Sequence, residues 1–399
     1  MPDFLILHII FWFSFLLLFW SYIGYPVLMG TLSRLYNENT IKYQSDDDLP
    51  RVTVMMSAYN EEKYIAEKIG TLLDQDYSGQ LEIYIGSDNS SDKTNDIIEQ
   101  MTQLNDNLHF YHYKERRGKP SVINDINNLI QEKYDINKKH IYILTDANVM
   151  LDSNVISILV SHFKNEKIGL VDAHMNYSGI KDEGISTSEN TYLNGEVKLK
   201  HDESKVTKKM IGPFGGCYAL RSDLFKPIPS HYLVDDFYLA MNVFSEGHLA
   251  INSLSAICIE PVTHFLLQEY GRKKRIAAGN FQNLFHYVGL FNPLTKLGLS
   301  LISHKLIRWL GPFLILLIIV SCTILAIKSM VLYKLMLTGI IVWFILIPLI
   351  DFALSKLNIN ISLLRSISYF NLMNVALFAG FFKYLGGIKK GTWERTERI

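Results

Sequence analysis

Hydrophobic positions change their spacing three times along the chain. From Phe4 to Tyr25 they run almost unbroken, interrupted only by His8, Ser14, Ser21 and Tyr22 and free of charge, long enough to cross a hydrocarbon core. From Val52 onward, short apolar runs alternate with stretches of helical spacing. Val52–Met56, Leu81–Ile85, Leu108–Tyr113 and Ile141–Thr145 read as strands; Tyr64–Leu73, with Ile65, Ile69, Leu72 and Leu73 on one side, Thr94–Leu104 and a segment opening at Ser121 read as helices. Four such alternations predict an α/β fold, a mostly parallel sheet with helices on both faces. Long apolar runs return at Ile307–Ile327 and Leu332–Leu354, separated by a turn at Lys328 and Ser329. A last segment, Ser366–Gly387, carries Asn371, Asn374 and Lys383, so that crossing the bilayer and lying at its interface are both open.

This pattern divides the chain into an anchor over residues 1–30, a polar linker over 31–49 that includes Asp46, Asp47 and Asp48, an α/β domain over 50–280, an interfacial segment over 281–305, and a membrane domain over 306–399. The interfacial segment is expected as a helix over Phe281–Ser300, apolar with few charges. No internal repeat is visible. Charge sharpens the division: overall it is zero, yet residues 30–304 hold 28 bases against 35 acids, and residues 305–399 hold 11 bases against 3 acids. The first run lacks a basic leader and a small-residue cleavage pattern and is too long for a signal peptide, so it reads as a retained anchor. Arg34, Lys42 and Arg51 follow it and no base precedes it, which predicts a multi-pass plasma (inner) membrane protein with its N-terminus outside and the α/β domain cytoplasmic. A crossing third segment would carry Lys389, Lys390, Arg395 and Arg398 outside, so the same rule favours the interfacial placement. Cys217, Cys258 and Cys322 form no C-x-x-C pair, which suits a reducing compartment and argues against structural zinc.

Candidate chemistry sits in the loops after the strands. The first gives Ser57-Ala58-Tyr59-Asn60-Glu61-Glu62, the second Ser87-Asp88-Asn89-Ser90-Ser91-Asp92, the third Arg116-Arg117-Gly118-Lys119-Pro120, and the fourth Asp146-Ala147-Asn148. Each has an ordinary reading: helix capping by the Ser/Asp cluster, a solvated basic loop, an Asp opening a turn. In a parallel sheet, however, all four converge on one edge, where open α/β folds bind ligands. Carboxylates, a lysine and flexible turns together suit an anionic ligand with a ring, and a sugar nucleotide fits.

Taken in order, these residues resemble family-2 glycosyltransferases with a GT-A-type fold, in particular the membrane-embedded branch that includes cellulose, hyaluronan and poly-N-acetylglucosamine synthases. The resemblance runs from about Pro50 to Phe281. It implies that Ala58, Tyr59, Asn60 and Glu61 form the opening nucleotide loop and that Asp88 meets the uracil, although Ser87 stands where a second Asp is usual. Arg117, Gly118 and Lys119 match the loop that also approaches the nucleotide, with Asn124 following on its helix. Asp146 matches the first acid of the metal-binding D-x-D motif; Asn148 replaces the second. Gly212–Arg221 resembles the stretch lining the acceptor pocket, which implies acceptor contacts for Phe214, Gly215 and Gly216. Asp235 and Asp236 match the acidic pair whose second member is the general base, which makes Asp236 the base and Asp235 a cap or an acceptor-orienting residue. Arg272-Lys273-Lys274-Arg275-Ile276 corresponds to the Gln-x-x-Arg-Trp pentad of processive synthases. Arg272 and Arg275 are then expected at the nucleotide, Ile276 stands in place of the stacking Trp, and Lys273 and Lys274 are free for lipid headgroups.

The implied activity is an inverting transfer from a nucleotide-diphosphate sugar, most simply a UDP-sugar, to a saccharide or lipid-linked acceptor, with Mg²⁺ or Mn²⁺ held by Asp146 and Asn148. No nucleic-acid partner is expected. Two alternatives remain open: a polyprenyl-phosphate acceptor, which needs no deprotonation, and a non-catalytic membrane scaffold that retains the fold.

Overall fold

The computed structural model describes residues 4–38, 40–44, 47–135, 139–179, 186–261, 266–328, 330–357 and 359–392. Asp46, Arg395 and Arg398 lie outside the described residues. The four expected strands are β1 (Arg51–Ala58), β2 (Leu81–Asp88), β3 (Leu108–Tyr113) and β4 (His140–Thr145), and the three expected helices are Ile65–Leu73, Thr94–Thr102 and Lys119–Lys133. The second half of the domain adds β5 (Met150–Leu151), β6 (Ile168–Ser178), β7 (Cys217–Arg221) and β8 (Leu249–Pro261). Together they form one eight-stranded sheet in the order β3-β2-β1-β4-β7-β6-β8-β5. β7 runs against β4 and β6, and β5 runs against β8; the other neighbours are parallel.

Strand alternation sorts β1 between two cores. Val52, Val54, Met56 and Ala58 pack with Ile65 and Ile69 on one face, whereas Met55 joins Tyr84, Tyr142 and Val122 on the other. Each fully buried aliphatic side chain contributes roughly 1.5–3 kcal/mol, so both faces fix the register. Parallel pairing of β4, β1 and β2 then brings the residues after Thr145, Ala58 and Asp88 to the same edge.

The apolar runs are organised differently from the expectation. The first helix continues from Leu5 to Leu35 through a π-turn at Trp20–Gly24. The run at Ile307–Ile327 is broken at Leu310: Lys296–Trp309 and Gly311–Ile327 meet at 63°. Pro312 in the first turn of the second piece has no N–H to extend the preceding helix. The next run is the helix Val331–Lys356. Among the described residues, Leu5–Leu35 and Val331–Lys356 are long and apolar enough to cross a membrane, and the bent pair would make a third. Phe11, Cys322 and Tyr333 form the small core between these helices, and His8 Nδ1 meets the Tyr333 hydroxyl at 2.6 Å.

Two expectations need correction. Phe281 does not open an interfacial helix: Leu266–His286 is continuous through it, and Phe281 is buried against Trp309 and Phe381. The segment expected at Ser366–Gly387 is the helix Ser362–Leu385, laid along Leu266–His286 so closely that a Cβ on Gly380 would meet that of Ala277 at 2.4 Å. Polar residues spaced through this helix serve the packing; Tyr369, for instance, donates to Glu269.

A second π-turn, Ile302–Leu306, faces the one at Trp20–Gly24. π-Turns leave backbone carbonyls outside the helical ladder, and here each finds a partner across the contact. Ser21 Oγ donates to the Ser303 carbonyl at 2.6 Å, and Arg308 donates to the Ser21 carbonyl at 3.2 Å. The first apolar helix is therefore held to the helix Lys296–Trp309 by hydrogen bonds to backbone carbonyls of the two π-turns.

Candidate active site

Two adjoining cavities occupy the sheet edge. The smaller, about 160 Å³, is walled by the loops after β1, β2 and β4 and by the Arg116–Lys119 loop. The larger, about 570 Å³, lies between the glycine-rich loop, the start of the helix Asp235–Ser245 (N-terminal residues Asp235 and Asp236), and side chains of the helices Leu5–Leu35 and Ser362–Leu385 such as Tyr22, Tyr369 and Phe370. Lys119, Asp146, Arg272 and Arg275 line both and stand at their junction.

In the small cavity, Ser57, Tyr59, Glu61 and Tyr64 come from the first loop. Ala58, expected here, instead faces the core, because alternation along β1 turns it away from Ser57 and Tyr59. The first and second loops are laced together: Asn60, in the left-handed region at φ 54°, donates its N–H to Ser90 Oγ, and Glu61 donates its own to Thr94 Oγ1. Asp92 accepts from the Thr94 N–H and so holds the helix start, which is the capping role considered for this cluster. Asp88 does something else. Its carboxylate accepts the backbone N–H groups of Arg117 at 2.6 Å and Gly118 at 2.8 Å, so it shapes the basic loop while lining the cavity.

That loop presents Arg116 rather than Arg117. The Arg116 guanidinium stacks on the Tyr59 ring at 3.8 Å, whereas Arg117 pairs with Asp125. Asn124 clamps the backbone of Ile228, accepting from its N–H at 2.9 Å and donating to its carbonyl at 2.7 Å. Gly118, at φ 86°, opens the helix that carries Lys119. Lys119 Nζ is 2.7 Å from Asp146 Oδ1 and 3.4 Å from Asp235 Oδ2. Burial would push this ammonium down, but Asp146 and Asp235 outweigh it and hold it above the usual lysine range. Asp235 makes no capping bond; its partner is Lys119, which explains its orientation better than a cap does.

Asp146 and Asn148 offer a carboxylate and an amide oxygen to the small cavity. Among the described residues, no group of three or more His, Cys, Asp or Glu could hold a metal ion by itself. The pair nevertheless fits a divalent cation that takes its remaining oxygens from a bound diphosphate, since Mg²⁺ sites commonly use one or two carboxylates plus substrate phosphate.

In the large cavity, Gly215, at φ 83°, lies so close to Asp236 that a Cβ there would stand 2.6 Å from its carboxylate. Phe214 donates its N–H to the buried Asp172, whose partner Lys200 covers the Phe214 ring at 3.2 Å. Gly216 accepts from the Asp146 N–H at 3.0 Å, tying the two cavities' loops together. Burial and the neighbouring Asp235 push the Asp236 carboxyl up to about 7, against the opposing pull of Lys119. A carboxylate poised there is suited to take a proton near neutral pH.

Arg272 lines both cavities, but its guanidinium is held by Glu189 and Glu269, so it braces the junction. Arg275 donates to the Leu233 carbonyl at 3.1 Å; burial, with Arg272 beside it, lowers it to about 10. Ile276 lines the large cavity. Lys273 is turned inward, paired with Glu269 at 3.3 Å and resting over Tyr192, so the expected headgroup role does not describe it.

Three features escaped sequence reasoning. Gly391 and Thr392 line the small cavity, with the Gly391 carbonyl against Gly118. Glu189 arrives from the helix Ser186–Val206. Lys68, fully buried beneath the Asp146–Asn148 turn, is pushed by burial down to about 8, against the pull of Cys217, Cys258 and Asp146. A lysine on the apolar face of a helix was the available signal for the last of these.

Residues 53–228 match the family model described as glycosyl transferase family 2. A poly-beta-1,6-N-acetyl-D-glucosamine synthase of Staphylococcus aureus is 27% identical over 214 residues, 51% of this chain and 49% of that protein. A beta-monoglucosyldiacylglycerol synthase of Trichormus variabilis is 30% identical over 137 residues, 34% of this chain and 28% of that protein. The chain thus spans about half the length of the first of these relatives, and less of the second. Among solved structures, the mannosyltransferase PcManGT of Pyrobaculum calidifontis, in complex with GDP-Man and Mn²⁺, superimposes with a TM-score of 0.68 over 94% of this chain and 99% of that one, at 19% identity. That likeness establishes the shared fold.

Proposed function

We propose, from the premise that residues 53–228 form a family 2 glycosyltransferase domain, that the protein is a membrane-bound inverting transferase. It moves a sugar from a nucleotide-diphosphate donor, a UDP-sugar in the first instance, to an acceptor hydroxyl. The observation that carries this reading is the junction itself: a polar cavity and a larger, more apolar one share Lys119, Asp146, Arg272 and Arg275, with Asp236 on the larger side. The donor would occupy the first and the acceptor the second.

In this reading Asp236 accepts the proton of the acceptor hydroxyl as that oxygen attacks the anomeric carbon and the nucleoside diphosphate departs. Lys119 and Arg275 stabilise charge on the leaving group. A divalent cation, Mg²⁺ or Mn²⁺, would be held by Asp146 and Asn148 and would neutralise charge on the same diphosphate. The neighbours named above are a polysaccharide synthase and a glycolipid synthase. Tyr369, Phe370, Met373 and Leu377 wall the larger cavity, which favours an acceptor carrying an apolar part, presented from the bilayer.

The same reading gives a topology. Three crossings, by Leu5–Leu35, the bent pair and Val331–Lys356, return the chain to the side of the catalytic domain, and Ser362–Leu385 then lies along the interface. Contact between Gly391 and Gly118 supports this, since both belong to one site. With the bases that follow the first helix, the domain side is cytoplasmic and the membrane the plasma (inner) membrane.

The test is purified protein in nanodiscs with a panel of UDP- and GDP-sugars, Mg²⁺ or Mn²⁺, and membrane lipid extract as acceptor source. Release of one nucleoside diphosphate, dependent on Asp236, is expected. A lipid-extractable product that survives Asp236→Asn would indicate a phosphate acceptor, and silence across the panel would favour a scaffold.

A further inference from the structure

We infer that Lys68 is a positioning residue for the donor site, a buried ammonium that clamps the two ends of the turn carrying Asp146 and Asn148. The helix Ile65–Leu73 buries Ile65, Ile69 and Leu72 as its spacing requires, and Lys68 lies fully buried among them. Its Nζ donates to Thr145 Oγ1 at 2.8 Å and to the Val149 carbonyl at 2.5 Å. Those are the residues immediately before Asp146 and immediately after Asn148.

The clamp reaches further through Thr145, whose Oγ1 donates to the Gly216 carbonyl at 2.9 Å, the same carbonyl that accepts the Asp146 N–H. One ammonium thereby fixes the donor turn relative to the glycine-rich loop beside Asp236. Both of its acceptors are neutral, and a buried charge so partnered is costly where an aliphatic residue would pack freely. The charge has a use if an anion lies across the turn: Asp146, and a diphosphate bound beside it. Because Asn148 adds no charge, the turn depends on geometry and on this background field to hold its ligand.

The inference rests on reading the Asp146–Asn148 turn as the donor site. Full-length wild type, Lys68→Met, Thr145→Val and the double variant are compared in nanodiscs by calorimetric titration with UDP plus Mn²⁺, with thermal midpoints and hydrogen exchange over residues 145–150. Folded Lys68→Met should bind UDP at least tenfold more weakly and exchange faster in the turn; Thr145→Val should lose three- to tenfold, and the double variant less than the product of the two. A lower thermal midpoint with UDP affinity within twofold of wild type would mean a purely structural lysine and overturn the inference. Should Lys68→Met not fold, Thr145→Val decides by the same criterion. Wild type that does not bind UDP would overturn the UDP donor-site reading itself, a different failure.

Discussion

Lys119 and Asp146 are joined at 2.7 Å where the smaller and larger cavities meet. The lysine is carried on the first turn of a helix and the aspartate directly after β4, and Asp235 approaches the same ammonium from a third element. One cation thus organises acids drawn from both cavities. Replacing Lys119 by Met leaves Asp146 and the nearby Asp235–Asp236 pair without it. A hydrogen bond to a charged group is worth about 1.5–3 kcal/mol, so roughly 10- to 100-fold should be lost in kcat/KM for the donor. Steady-state kinetics across a donor series checks this, and an unchanged kcat/KM would remove Lys119 from the site.

Asp236→Asn should abolish transfer, by roughly 10²- to 10⁴-fold, while UDP binding by titration changes little. In wild type, the rate should rise with pH up to about 7 and then level off, because the base works only when ionised. Stability should move the other way. The folded carboxyl titrates far above an ordinary aspartate, so between about pH 4 and pH 7 the native state holds a proton that the unfolded chain has released. Wild type therefore loses stability as pH rises through that window. The Asn variant lacks this loss, and its advantage in thermal midpoint should grow from pH 4 to pH 7 and then stay constant. A midpoint difference independent of pH would contradict the raised value.

The first half of the domain is legible because each strand there is a short apolar run bounded by polar loops, and parallel pairing needs nothing else to gather those loops. β6 is less so: Asp172, His174 and Asn176 alternate with its apolar residues, and their partners, such as Lys200, come from other elements. The motif residues Asp146, Asp236 and Arg275 do meet at one site, whereas Ala58 points into the core and Arg272 is held by Glu189, 83 positions away. Motif spacing does not carry ion-pair partners at such separations. The break at Leu310 hides in an unbroken apolar run for a similar reason, since composition reports length and not direction.

The return of the chain to the smaller cavity predicts a glycine requirement at Gly391. A Cβ on Gly391 would stand 2.4 Å from the Ser230 carbonyl, and the Gly391 N–H donates to that same carbonyl at 3.0 Å. Gly391→Val should therefore push the segment off Gly118 and remove Thr392 as a wall. Donor KM should change at least fivefold, with the thermal midpoint within about 2 °C of wild type, because the contact lies outside both cores. A variant with wild-type donor kinetics would show that the segment is not part of the site.

A buried histidine joins the long apolar helix Leu5–Leu35 to the α/β domain. His304 is fully buried, its Nε2 3.0 Å from Glu196 and its Nδ1 2.8 Å from Glu203. Tyr25 of the helix Leu5–Leu35 donates to Glu203 at 2.9 Å, and Lys305 and Arg308 pair with Glu196. Replacing His304 by Ala strips one partner from two buried carboxylates at once, a change that typically costs about 3–5 kcal/mol. The midpoint should fall by several degrees in detergent, and Tyr25→Phe, which removes one hydrogen bond to Glu203, should cost about 1–3 kcal/mol. Because both act on Glu203, the double variant should lose less than the sum of the two. Strict additivity would mean that helix and domain are held by separate contacts, whereas a shortfall locates the bolt between the first helix and the α/β domain at this histidine.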